Sequence, residues 1–286
     1  LIQADGQVKI VTPQVLGRLH YSEPCPLGES PSPARAVLPI APPPRLLAIS
    51  ASGRIALLRW EFAGQQPGSL ERFLPTGLEG DPVVTITRLP NQASEDMSLG
   101  LLSSDGRFKR LPLAEILDLS GRATSVVKLK EGVTLNSAVI CRDHQDLLLF
   151  SDIGRVLRIP IRETTLPLMG RLAQGPMTIR LLPGEGLIGA LCPEQPSVLL
   201  VSREGRISRL DCSSLRRSER GDLGSIGVKI SSDQDRIAGV AEARGLIGVI
   251  SSQERHGRLD ALSYDSRNPG EHFQDQLALR DGETVT

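Results

Sequence analysis

The side chains best suited to do chemistry in this sequence are arginines. Only five of the 33 basic residues are lysines, at positions 9, 109, 128, 130 and 229, which leaves 28 arginines. A guanidinium presents a planar fork of donors that matches phosphate oxygens, so an Arg-rich chain has the means to hold a polyanion, although a high-GC genome also replaces Lys by Arg. The formal net charge is zero, which argues against a uniformly basic nucleic-acid binder, but the charge is unevenly placed. Residues 98–180 carry 12 basic and 8 acidic side chains, whereas residues 230–286 carry 6 and 10. Aromatic residues make up 3% of the chain, too few for a stacking platform for single strands.

Other chemistries find little support. The histidines at 20, 144, 256 and 272 lie in no metal or triad motif. The cysteines at 25, 141, 192 and 212 form no close pair in sequence, so neither a zinc site nor a disulfide framework is indicated and reduced thiols are expected. No Gly-rich phosphate loop ending in Lys-Ser or Lys-Thr occurs. The reading is therefore non-catalytic, with no cofactor and no metal. No apolar run approaches the ~20 residues of a membrane span, and a cytoplasmic place is expected. The chain begins with Leu, which suggests a fragment or processed product.

The arginines recur because the chain repeats. An apolar strand leads into Ser-x-x-Gly-Arg and a second apolar strand four times, with the turns at Ser50–Arg54, Ser103–Arg107, Ser151–Arg155 and Ser202–Arg206. Weaker copies occur around Ala4-Asp5-Gly6-Gln7 and around Ser251 and Gly257-Arg258. The turn glycines are thus expected at 6, 53, 106, 154, 205 and 257, with spacings of 47, 53, 48, 51 and 52. Gly between apolar runs marks a hairpin, because Gly accepts positive φ without steric cost. Later in each unit a strand such as Val127-Lys128-Leu129, Ile179-Arg180-Leu181 or Val228-Lys229-Ile230 places a cation between apolar neighbours, and a further apolar run follows.

About four strands per unit cannot bury both faces alone, and stacking the units around an axis resolves this. The expected fold is all-β: a six-bladed β-propeller-like arrangement over residues 1–270, with repeats near 1–44, 45–97, 98–146, 147–196, 197–243 and 244–270. Residues 271–286 read as an acidic, frayed tail, and 21–44 as an irregular loop. The 21 prolines oppose long helices, and only 113–117 suggests a helical turn.

Taken together, these motifs resemble the blades of the C-terminal β-pinwheel domain of type IIA topoisomerase A subunits, the gyrase A and topoisomerase IV A family. The fourth repeat carries the likeness best, with Gly154-Arg155-Val156-Leu157-Arg158-Ile159, Gly170-Arg171-Leu172-Ala173-Gln174-Gly175 and Ile179-Arg180-Leu181-Leu182-Pro183-Gly184-Glu185. Lys109-Arg110-Leu111-Pro112-Leu113-Ala114-Glu115-Ile116 is similar too, and the fifth repeat keeps Arg216, Arg217, Arg220, Gly221 and Gly224. The gyrase Gln-Arg-Arg-Gly-Gly-Arg-Gly box is absent; the corresponding region reads Arg18-Leu19-His20-Tyr21-Ser22-Glu23-Pro24.

The resemblance implies strands exchanged between neighbouring blades and duplex DNA guided around the outer rim by phosphate contacts. It also implies two partners, a cleavage domain carrying the reactive Tyr and an ATPase subunit, and a place on the bacterial nucleoid. The implied DNA-binding residues are Arg54, Arg107, Lys109, Arg110, Arg122, Lys128, Arg155, Arg158, Arg171, Arg180, Arg206, Arg209, Arg216, Arg217, Arg220 and Lys229. Changing Arg155, Arg158, Arg206 and Arg209 to Glu together should then abolish duplex binding and leave the fold intact. The alternative is a propeller-like protein-interaction scaffold, whose mark would be rim arginines paired to Asp or Glu.

Overall fold

The computed structural model describes residues 2–3, 7–8, 10–12, 14, 23–29, 34–36, 45–59, 68–117, 119 and 121–286. Gly6 and Lys9, the 18–22 region and most of the 21–44 segment lie outside the described residues; within that last segment, Cys25–Gly28 and Ala34–Ala36 are strands.

The chain is all-β and propeller-like. Among the described residues, five long antiparallel hairpins form the centres of five blades: Arg45–Ser50 with Arg54–Leu57, Met97–Ser103 with Phe108–Pro112, Asp146–Ser151 with Arg155–Pro160, Ser197–Ser202 with Arg206–Asp211, and Leu246–Ile250 with His256–Asp260. A shorter pairing of Ile2–Gln3 with Gln7–Val8 is flanked by Ala34–Ala36 and Gly68–Ser69. The helical element expected at 113–117 is present as Leu113–Leu117.

Two edges complete each blade, and they come from different places. On one edge lie strands Val83–Leu89, Leu135–Arg142, Leu187–Leu191 and Ile237–Glu242, each pairing with the first hairpin strand of its own repeat. These strands also touch one another from blade to blade: Asn136 Nδ2 donates to the Leu187 carbonyl at 2.9 Å, and the Ala138 N–H to Thr85 Oγ1 at 3.3 Å. They therefore line the inner side. On the opposite, outer edge the strand is lent by the following repeat. Thr124–Ser125 pairs with Arg54–Leu57, Ser225–Ile226 with Arg155–Pro160, and Ser266–Arg267 and Asp275–Gln276 with Arg206–Asp211. The segment from Leu168 to Met177 bridges to Arg110 and Arg107 in the same way. Cys25–Gly28 pairs with His256–Asp260, so the first repeat completes the last blade and closes the ring.

This arrangement explains why the middle of a central strand, such as residues 147–150, is apolar at consecutive positions. Leu147 and Leu149 join the cluster shared with Leu102 and Phe108 of the preceding blade. Leu148 and Phe150 face the other way, onto Val198, Leu200 and Leu210 of the next. A strand sandwiched between two blades buries both faces, and period-two alternation disappears.

Two expectations need correction. Residues 271–286 are not a frayed tail: Glu271–His272 pairs with Val228–Lys229, Asp275–Gln276 pairs with the fifth repeat's hairpin, and Val285 is buried in the last core. Polarity misled because this segment is an outer-edge strand with one wet side. Second, Gly257 is not a turn residue. Gly53, Gly106, Gly154 and Gly205 have φ near +80°, but in the closing blade Glu254 occupies that position at φ 59°. The hydrogen bonds confirm the register: the N–H of Gly154 donates to the Ser151 carbonyl, and the N–H of Glu254 to the Ser251 carbonyl. Gly257 sits inside a strand, where an added Cβ would lie 2.9 Å from the Cys25 carbonyl oxygen; its smallness admits the closing strand.

Candidate nucleic-acid interface

The turn serine sets up each arginine. Ser50, Ser151, Ser202 and Ser251 Oγ accept the N–H of Arg54, Arg155, Arg206 and Arg255, and Ser103 Oγ donates to the Arg107 carbonyl. The first residue after the turn is therefore Arg54, Arg107, Arg155, Arg206 and Arg255. Three residues on, the same strands carry Leu57, Arg110, Arg158, Arg209 and Arg258.

These strand arginines spend their donors inside the protein. Arg155 Nε donates to Glu185 Oε1 at 2.9 Å, a second fork arm reaches Oε2, and further donors reach the Leu223 and Arg180 carbonyls. The Arg155 side chain is 10% exposed and that of Glu185 1%. Burial would raise the Glu185 carboxyl, but bonds from Arg155, the Leu182 N–H and Ser151 outweigh it and hold the group below the usual carboxylate range. Arg255 repeats the pattern with Glu283 Oε2 at 2.6 Å and the Leu27 carbonyl at 2.6 Å. Arg158 binds Asp146 at 2.7 Å and the carbonyls of Cys212, Ser213 and Leu215. Arg209 reaches Ser197 Oγ and the Tyr264 carbonyl, and Arg258 the Glu23 carbonyl. Arg110 reaches the Leu166 carbonyl and Asp143. Arg107 binds the Gly175 carbonyl and lies 3.3 Å from Asp105, and Arg206 binds Glu204. Nearly every acceptor carbonyl belongs to the strand or loop lent by the neighbouring repeat. Apart from Arg206, whose partners Glu204 and Asp235 lie in its own repeat, these arginines are ties between blades.

The expectation that they contact phosphate therefore needs correction for the most buried members. Lys109 and Arg110 are 1% exposed and Arg155 is 8%. Lys109 Nζ donates to the Val126 and Arg171 carbonyls, joining two repeats, and burial lowers its pKa to about 8, with Glu115 opposing. Arg107, Arg158, Arg206 and Arg209 are half-buried and hold the partners named above. Substituting Arg155, Arg158, Arg206 and Arg209 by Glu would attack the fold itself. Arg54 is exposed, but its Nη1 donates to the Gly77 carbonyl at 2.8 Å.

The remaining predicted residues occupy the outer edge. Arg122, Lys128, Arg171, Arg180, Arg216, Arg217, Arg220 and Lys229 are all exposed and all lie on the lent segments of the third, fourth and fifth repeats. Their registers match. The N–H groups of Val126, Thr178 and Gly227 donate to the carbonyls of turn glycines 53, 106 and 154. Counting two residues on gives Lys128, Arg180 and Lys229, so the three cations hold one structural position in successive blades. Arg216 and Arg217 are partly neutralised, by Asp222 at 3.8 Å and Asp146 at 3.0 Å, and Arg180 donates to the Gly221 carbonyl. Arg122, Lys128, Arg171, Arg220 and Lys229 have no intramolecular side-chain partner among the described residues. Sequence reasoning misses Arg255 because Gly257-Arg258 imitates the turn; counting four residues from Ser251 finds it.

This geometry agrees with what the chain is similar to. The family model for the DNA gyrase C-terminal domain, beta-propeller, matches residues 101–142, 145–194 and 196–243. The three matched segments belong to the gyrase A C-terminal domain family. It is 29% identical over 233 residues to the A subunit of DNA topoisomerase 4 from Synechocystis sp., covering 75% of this chain and 25% of that protein. It is 33% identical over 168 residues to the A subunit of DNA gyrase from Pseudomonas aeruginosa, covering 57% and 18%. The chain thus spans a quarter or less of the length of these curated relatives. Its fold matches a solved DNA gyrase A C-terminal domain with a TM-score of 0.78 at 19% identity, covering 99% of this chain and 96% of that one. It matches the C-terminal domain of a DNA topoisomerase IV with a TM-score of 0.75 at 14% identity, covering 100% and 91%. The three matched segments are the repeats that carry the registered cations. Among the described residues no group of three or more His, Cys, Asp or Glu is placed to hold a metal, and no helix is long and apolar enough to cross a membrane.

Proposed function

We infer that this chain is a non-catalytic module that binds and bends duplex DNA for a type IIA topoisomerase. The observation that carries this reading is the outer-edge register of Lys128, Arg180 and Lys229, flanked by Arg122, Arg171 and Arg220. A duplex running along successive blades meets cations at regular intervals and in one orientation. Phosphate contacts of this kind are independent of sequence and sensitive to salt. Bending a site of 20–30 base pairs by 40–90° costs on the order of 1–6 kcal/mol, which several such contacts together offset.

The finer reading is a six-bladed pinwheel in which the short sheet around Ile2–Gln3 and Gln7–Val8 is the centre of the first blade, with residues 1–270 and the closing strands forming one domain. The absence of the gyrase box and the zero net charge favour guiding over tight wrapping. The cleavage Tyr then lies in a separate domain, an ATPase subunit completes the enzyme, and the whole works on the bacterial nucleoid in the cytoplasm.

The scaffold alternative is favoured by one observation, the pairing of Arg107, Arg155, Arg158, Arg206, Arg216 and Arg217 with carboxylates. A salt-dependent duplex-binding titration, combined with end-to-end fluorescence transfer on the same duplex, separates the two. The DNA reading expects log K to fall with log salt with a slope of about −0.9 per phosphate engaged, and the duplex ends to approach. A flat salt dependence with straight DNA would support the scaffold.

A further inference from the structure

One pair of reactive groups plays no part in the DNA reading. Cys141 lies in the inner-edge strand Leu135–Arg142 of the third repeat, and Cys192 directly follows the inner-edge strand Leu187–Leu191 of the fourth. They are 51 residues apart in sequence, yet the Cys192 thiol faces Cys141 Sγ at 3.6 Å. Cys141 is fully buried within the core shared by these two blades. Cys192 is only partly buried and lines an open cleft of about 330 Å³ with Arg88, Met97, Ile140 and Glu194, which gives a small oxidant a way in. Of the other two thiols, Cys212 is buried against the Leu210 carbonyl in a different core and Cys25 lies in the ring-closing strand. Both sulfurs sit beyond bonding distance but within van der Waals contact, so a disulfide requires them to close by roughly 1.5 Å, a side-chain adjustment.

We propose that Cys141 and Cys192 form an oxidative modification site, at which a peroxide-class oxidant creates a disulfide that staples the third blade to the fourth. The Cys192 thiolate attacks one peroxide oxygen, the O–O bond breaks, and a sulfenic acid and water form. The Cys141 sulfur then attacks the sulfenic sulfur, the S–S bond forms, and the S–O bond breaks to release a second water. Two thiols lose two protons and two electrons, and one hydrogen peroxide becomes two waters. The bond joins the inner edges of two blades, opposite the registered cations, so it stiffens the angle between repeats that the outer rim would present to DNA. The hydrogen bond with Cys141, together with burial, pushes the Cys192 thiol well above its usual range, so the reaction is slow at neutral pH and accelerates as pH rises.

The test treats the full native chain with hydrogen peroxide, and in parallel with diamide, then maps disulfide-linked peptides without reduction. The expected result is one linked species joining the Cys141 and Cys192 peptides, a mass loss of two hydrogens, and a melting temperature raised on the order of 5–10 °C and reversed by a reductant. Cys192→Ala, at the more accessible position, keeps the fold and should abolish both the link and the rise. The same treatment in urea should scramble the pairings among the four cysteines. The proposal is overturned if the native chain gives the scrambled pattern too, or if Cys192 is oxidised to sulfinic acid with Cys141 left as a thiol.

Discussion

The fourth repeat and the closing blade are built on the same internal plan and present opposite surfaces. Both have a turn serine that accepts the backbone N–H of an arginine four residues on, Arg155 in one and Arg255 in the other. Both arginines bind a buried carboxylate from the same repeat, Arg155 with two arms onto Glu185 and Arg255 with one onto Glu283, and both reach a carbonyl of the next repeat, Leu223 or Leu27. The strands they lend differ. The fourth repeat lends Arg171 and Arg180, whereas the closing blade lends Leu279 at the position of Arg180, because the Leu277 N–H donates to the Gly205 carbonyl in the same register. Leu279 packs against the last core, and its neighbours Asp275 and Asp281 are acidic and exposed. The difference teaches that the architecture and the charge of the rim are written by separate residues. Internal arginines and their carboxylates make the blades, and exposed cations on lent strands decorate only some of them.

Breaking the shared plan should have the largest effect. Arg155→Ala leaves Glu185 buried without its fork and is expected to cost about 3–5 kcal/mol, read by urea unfolding of the whole chain. Glu283→Ala should destabilise the closing blade in the same direction; a neutral result would separate the two blades. The acid limb follows the same logic. Glu185 has a folded pKa below its unfolded value, so its contribution is present above about pH 4 and is lost as pH falls through the folded value. Glu185→Gln should therefore flatten the loss of stability in acid.

Next in size is the turn itself. Gly154 has φ 81°, and a Cβ there would lie 2.5 Å from the Val228 carbonyl oxygen on the lent strand. Gly154→Ala thus combines backbone strain with a collision between repeats, and a loss of at least about 1–3 kcal/mol is expected in the same unfolding experiment. The closing blade offers the inverse. Glu254 holds φ 59° as a non-glycine, so Glu254→Gly should raise stability by up to about 1 kcal/mol, the relief of left-handed strain less the entropy of glycine.

Lys109 extends the comparison to high pH. Its folded pKa of about 8 lies below the unfolded value near 10.4, so the unfolded chain binds the extra proton between these limits. Stability should rise as pH increases from about 8 to 10 relative to Lys109→Met, which lacks the titration. Parallel melting curves for the two proteins would contradict the burial of this amine.

Much of this was legible in the sequence, for local reasons. Gly53, Gly106, Gly154 and Gly205 announce their turns because the steric demand for positive φ is local. Leu147 to Phe150 declare a strand buried on both faces. The exposed cations at 128, 180 and 229 follow from alternation along a single segment. What could not be read is whatever depends on the lent strand. Whether Arg158 faces solvent or the carbonyls of Cys212, Ser213 and Leu215 is decided by residues more than 50 positions away. Lys109 and Arg110 look like solvated strand residues until the segments around Val126, Leu166 and Arg171 cover them. Glu254 hid its turn because an ordinary side chain stood where glycine was expected, and the 271–286 segment hid its strands because half of its surface is wet.

The central claim is a division of labour between internal and rim cations. The most direct measurement compares two variants, the triple Arg122→Ala, Arg171→Ala and Arg220→Ala protein and the single Arg158→Ala protein, by thermal melting and by salt titration of duplex binding. The triple variant should melt with the parent protein and reduce the slope of log K against log salt by about 3. The single variant should melt well below the parent and, at a temperature where it remains folded, keep the parent's slope. An unchanged slope in the triple variant, or a slope lost with Arg158 in a fully folded protein, would contradict the account.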